Sequence, residues 1–104
     1  MLNTPMILPK ETAQALVDLT GEVRIETALT TVIREYARQK LDELNTGLAG
    51  FEKKYGMSFE EYRLVWENED RPEDYSFEAE DDYLMWEGFV TRRKRLLNSF
   101  AWLP

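Results

Sequence analysis

The chain has 104 residues, 13 lysines and arginines against 20 aspartates and glutamates, no histidine, no cysteine and a formal charge of -7. Without Cys or His the sequence offers no disulfide scaffold, zinc finger, thiol nucleophile or imidazole base, so any catalysis would run on carboxylates, lysine, tyrosine or a carboxylate-bound hard metal. Roughly 100 residues suit one domain with one modest core, and the acidic balance disfavours a nucleic-acid coat or an anionic membrane surface, both of which need clustered Lys and Arg.

No run approaches the roughly 20 apolar residues of a membrane span. The start, Met1-Leu2-Asn3-Thr4-Pro5-Met6-Ile7-Leu8, lacks the basic flank and long apolar stretch of a signal peptide, so a cytoplasmic location without membrane contact is expected.

The elements follow in chain order. Pro5-Met6-Ile7-Leu8 is the one strand candidate, short and closed by Pro9. A helix of about three turns follows Pro9, with Glu11 at its positive end, Ala13, Leu16 and Val17 on one side, and Gly21 as its stop. A longer helix carries Ile25, Ala28, Leu29, Val32, Ile33, Tyr36, Ala37, Leu41 and Leu44 at three- and four-residue steps. After Asn45-Thr46-Gly47 the stripe resumes, rotated, with Leu48, Phe51 and Tyr55, which predicts a break or bend there. At Gly56-Met57-Ser58-Phe59-Glu60-Glu61-Tyr62, Ser58 and Glu61 form a capping box, Met57 staples against Tyr62, and Gly56 ends the preceding helix. That third helix runs from Phe59 to about Asn68 with Tyr62, Val65 and Trp66 inward. The proline-containing acidic stretch 67–75 reads as a loop, and a last helix spans roughly Phe77 to Phe100.

Charge is unevenly distributed. Residues 60–82 hold eleven carboxylates against Arg63 and Arg71, a local -9, whereas residues 83–104 hold Glu87 against Arg92, Arg93, Lys94 and Arg95, a local +3. Dense like charge is either a solvated face or a docking surface for a basic partner. The pairs Glu67/Asp70 and Glu78/Asp81 have the E-x-x-D spacing that can grip Mg²⁺, but no phosphate-binding glycine loop accompanies them, which leaves a metal-dependent nucleotide hydrolase a remote reading. The Arg92–Arg95 run suits the second half of a helix as a dipole complement. Arg93 falls among Trp86, Val90 and Leu97, so it is expected to snorkel, stack on an aromatic ring or pair with Asp82. Most aromatic residues fall at helical spacing and read as core. Trp102, beyond the helix, reads as a contact with another chain.

The N-terminal pattern Met6-Ile7-Leu8-Pro9, a short helix to Thr20-Gly21, then Arg24-Ile25-Glu26-Thr27-Ala28-Leu29 leading to Ile33-Arg34-Glu35-Tyr36-Ala37-Arg38-Gln39-Lys40 resembles the ribbon-helix-helix antitoxins of type II toxin-antitoxin pairs. The segments Tyr55 to Tyr62 and Asp82-Tyr83-Leu84-Met85-Trp86-Glu87 look like small prokaryotic antitoxin-type proteins with such a front end. The resemblance implies a homodimer with paired strands and interlocked helices, and a C-terminal extension that wraps a toxin. In that family the strand carries the DNA-reading side chains; here Asn3, Thr4 and Lys10 are the available positions.

The expected fold is therefore mainly α: a short N-terminal strand, then four or five helices, with residues 1–47 as a ribbon-helix-helix-like dimerisation region and 48–104 as a helical extension. The expected function is neutralisation of a basic, ribonuclease-type toxin by a non-catalytic protein without cofactor or metal. Candidate partner-binding residues are Glu67, Glu69, Asp70, Glu73, Asp74, Glu78 and Asp81, which would occupy a positive cleft, and Trp86, Phe89 and Trp102 as anchors. The alternatives are an operator-binding transcriptional autoregulator and a non-catalytic helical interaction domain.

Overall fold

A computed structural model describes residues 7–101 of the chain. It contains helix α1 (Lys10–Thr20), helix α2 (Ile25–Tyr55), helix α3 (Phe59–Asn68), a 3-10 turn (Pro72–Tyr75) and helix α4 (Phe77–Ser99). The mainly α class is as expected, but the N-terminal strand is not: among the described residues there is no strand, and Ile7 and Leu8 have no regular structure. Pro9 explains this locally. Its fixed φ suits helix entry, and its carbonyl accepts from Ala13 N at 3.0 Å, so the chain turns into α1 directly after Leu8. Residues 5 and 6 of the strand candidate lie outside the described residues.

Both glycine stops act as expected. Gly21 and Gly56 sit in the left-handed region, at φ 72° and 68°, and their amides close the last turns of α1 and α2 onto Val17 O (2.7 Å) and Glu52 O (2.8 Å). Ser58 caps α3: its hydroxyl accepts from Glu61 N at 3.2 Å and lies 3.2 Å from the Glu61 carboxylate, to which it donates. Met57 packs against the cluster that contains Tyr62. Ser76 caps α4 in the same way, accepting from Ala79 N at 3.0 Å.

The predicted break at Asn45-Thr46-Gly47 is absent, and α2 runs unbroken for 31 residues. Tertiary packing explains why. A Cβ on Gly47 would stand 2.5 Å from Phe89 Cε2, so this glycine lets the α4 ring settle against the α2 backbone. Thr46 is accommodated too, its hydroxyl donating to Asp42 O at 2.9 Å. The rotation of the apolar stripe goes with two partners along one continuous helix, because α2 packs against both α1 and α4.

The molecule is elongated, with extents of 59 × 28 × 24 Å and a radius of gyration of 19.9 Å, against about 13 Å for a compact chain of this length. Its core is concentrated at one end, where Phe59, Tyr62 and Trp86 are buried among Leu48, Phe51, Tyr55, Met57, Trp66, Tyr83 and Val90. Trp86 has the rings of Phe51, Tyr55, Phe59 and Tyr62 around it at centroid distances of 5.5, 5.6, 5.4 and 5.2 Å. In the front arm, α1 and the first half of α2 bury only Leu16 and Ala28, leaving Leu19, Val23 and Tyr36 exposed.

Candidate protein-binding surface

The acidic residues divide by partner. Asp74 is buried and held by Arg71, whose Nε and Nη2 reach its two carboxylate oxygens at 3.1 and 2.8 Å. Glu73 lies 3.7 Å from the same guanidinium, and Glu67 lies 3.8 Å from Arg63. Lys54 joins α2 to α4 by meeting Glu78 at 2.7 Å and Asp82 at 2.6 Å, and the Tyr55 hydroxyl donates to Asp82 at 2.5 Å. Burial opposes charge on Asp82, but hydrogen bonds from Lys54 and Tyr55 outweigh it and hold the carboxyl below its ordinary range. Lys54 is raised above its ordinary value by the hydrogen bonds to Asp82 and Glu78, and Tyr55 is raised by burial and by its bond to Asp82.

Asp70 accepts a short hydrogen bond from the Tyr75 hydroxyl, which raises the Tyr75 pKa. Glu69, Glu80 and Asp81 are exposed and their carboxylates have no ion pair among the described residues. The fold therefore neutralises part of the block internally and leaves the rest toward solvent. Asp74 belongs to the structural part, and its burial corrects its reading as a partner-binding group; Glu78 is paired with Lys54 but stays exposed.

The anchors also change. Trp86 is 0% exposed at the centre of the core, so it cannot reach a partner. Phe89 is half-buried, spent on Gly47 and on Phe51, 5.9 Å away between ring centroids. Trp102 lies outside the described residues, as do Asn3 and Thr4. Lys10, the one basic residue of α1, is exposed. The large side chains that face solvent in or beside the acidic block include Tyr75, 71% exposed, Phe77, 84% exposed, and Leu84, 67% exposed, with Leu64 and Met85 less so. A helical wheel contains the signal for two of them: Phe77 and Leu84 are seven residues apart, on the side of α4 opposite Trp86.

Of the outcomes expected for Arg93, pairing with Asp82 is not the one found: the half-buried side chain lies beside Leu48, Trp86, Val90 and Leu97 and carries its head group to the surface. Its Nε donates to Asn45 Oδ1 at 2.7 Å, and Asp82 is engaged by Lys54 and Tyr55 instead. The dipole account of the basic run also needs revision, because the last turn of α4 contains no basic residue. Glu67/Asp70 and Glu78/Asp81 do not converge: among the described residues no group of three or more acidic side chains is placed to hold a metal ion. No described helix is long and apolar enough to cross a membrane.

No family model, curated protein or solved structure matches the chain.

Proposed function

We propose that the chain is an antitoxin-like protein that binds and neutralises a basic, ribonuclease-type toxin through the surface around Glu69, Asp70, Tyr75, Phe77 and Glu80. The observation that carries this reading is the juxtaposition of unpaired carboxylates with solvent-exposed aromatic side chains on one end of the molecule. Solvent-facing Phe costs hydration without contributing to the fold, and carboxylates without cations repel one another; a basic surface with apolar pockets relieves both.

The chemistry of such a pair divides into two parts. Carboxylates steer the partner during approach and set the salt dependence of association, because their field extends about 10 Å at 0.1 M salt. Tyr75 and Phe77 supply the desolvated contact that slows dissociation, as aromatic anchors do at interface centres. Occupying the positive cleft of a ribonuclease would exclude RNA by competition for the same cations. The exposed apolar residues of the front arm, Leu19, Val23 and Tyr36, are the surface we assign to pairing with a second copy.

The test is co-expression with the product of the adjacent gene, followed by affinity capture at low and high salt. Capture that weakens with salt, and weakens further when Glu69→Gln, Asp70→Asn and Glu80→Gln are combined, supports the reading. Capture unaffected by that triple change removes it.

A further inference from the structure

The outer face of α4 carries a second, independent pattern. Its inward side is fixed by Ala79 and Trp86, both buried. At 3.6 residues per turn the opposite side presents Phe77, Asp81, Leu84, Gly88, Arg92 and Arg95 in one stripe. Apart from Gly88, which is half-buried, all are exposed. Neither Arg92 nor Arg95 pairs with a carboxylate among the described residues; Arg92 instead donates to Gly88 O at 3.3 Å and covers the Phe89 ring at 5.2 Å.

This stripe is self-complementary about its centre. Asp81 and Arg95 lie seven residues either side of Gly88, and Leu84 and Arg92 lie four either side. The first half is acidic and apolar, the second half basic, and the middle is the residue with the least bulk. The helix dipole does not account for this arrangement, since its influence fades within the terminal turns and the arginines precede the last one.

We infer that α4 pairs with α4 of a second copy, antiparallel, across a two-fold axis at Gly88. In that arrangement Asp81 of each copy meets Arg95 of the other, and the aliphatic stem of Arg92 lies over Leu84 of the other. A parallel arrangement would set acid against acid and base against base, so charge fixes the direction. Glycine at the crossing lets the axes approach to the short end of the 8–10 Å range of packed helices. Nothing clashes before pairing, because a Cβ at Gly88 meets only Arg92 Nη2, at 3.6 Å. This interface is separate from the front arm and does not rest on the toxin reading; where both hold, a partner on Phe77 competes with the second copy.

Charge reversal tests the inference. Sedimentation equilibrium of the full chain is compared for wild type, Asp81→Arg, Arg95→Asp and the double variant. Each single reversal is expected to weaken the association step about tenfold, since each replaces two attractive cross-copy pairs by two repulsive ones about the two-fold axis. The double variant is expected to restore it. Asp81 and Arg95 stand roughly 21 Å apart along one helix, so restoration requires contact between copies. Because the chain has no cysteine, Thr91→Cys, at an exposed position on the rim of the crossing, gives a site-specific check that leaves Gly88 in place: a bismaleimide spanning about 10 Å is expected to link two copies there, since paired positions lie six residues apart at about 1.5 Å each, and not at Glu60→Cys. A double variant no stronger than the singles, or no linkage at Thr91→Cys, overturns the inference.

Discussion

The Phe89 ring occupies the space that a side chain on Gly47 would need, with Cε2 2.5 Å and Cδ2 2.8 Å from an ideal Cβ. This contact joins the middle of α2 to the middle of α4, and it is the reason a glycine is kept inside a 31-residue helix. Glycine there forgoes about 1 kcal/mol of helix propensity relative to alanine. Gly47→Ala should nonetheless destabilise by about 1–2 kcal/mol, because overpacking forces Phe89 off its site. Gly50→Ala is the control, since nothing lies within 4 Å of its Cβ position, and it should raise the melting temperature. Thermal denaturation of the two variants checks the opposite signs.

Trp86 is the residue on which the folded end depends. Trp86→Ala should cost about 3–5 kcal/mol, the range for removing a large buried aromatic, which is a large share of a small domain's total stability. Trp86→Phe should cost much less, because Nε1 is buried without a hydrogen-bond partner and its loss leaves no acceptor stranded. Near-UV circular dichroism and urea denaturation report both changes.

The Lys54, Tyr55 and Asp82 cluster predicts a stability profile with two flanks. Asp82 has its folded pKa below the unfolded value, so its contribution is present above the unfolded pKa, about 3.9, and is lost as pH falls through the folded one. Lys54 and Tyr55 are raised, so their contribution is present below the unfolded values, about 10, and is lost as pH climbs through the folded ones. Asp82→Asn should flatten the acid flank between pH 5 and 2 in urea titrations while leaving helicity at neutral pH unchanged. An unchanged acid slope would show that other carboxylates carry it.

Much of this fold was legible in the sequence because its punctuation is local chemistry. Gly21, Gly56 and the Ser58/Glu61 cap act through backbone geometry within a few residues, and helices α1, α3 and α4 end within a residue of expectation. What failed depends on distant partners. Gly47 reads as a breaker until Phe89, 42 positions away, is placed against it. Trp86 reads as an anchor until the rings of α2 and α3 close over it. The acidic run reads as one uniform block because sequence does not reveal that Arg71 takes Asp74 while Lys54 takes Glu78 and Asp82, leaving Glu69, Glu80 and Asp81 outward. Tyr75, in the acidic loop, carries no sequence signal of its own exposure, and that of Phe77, at the start of α4, follows from the core closing on the Trp86 side of α4.

The surface aromatics separate binding from folding. Tyr75→Ser and Phe77→Ser remove side chains that are mostly solvent-exposed, so melting temperatures should stay within about 2 °C of wild type, as for surface substitutions generally. A larger drop in either would show that the ring contributes to the fold.

The central claim is that a partner docks on the exposed acidic and aromatic surface, and isothermal titration of the purified adjacent gene product into wild type and Phe77→Ser tests it most directly. The account predicts an affinity at least about tenfold weaker for Phe77→Ser, as for loss of an interface anchor, with the melting temperature unchanged. Equal affinity for the two proteins would contradict it.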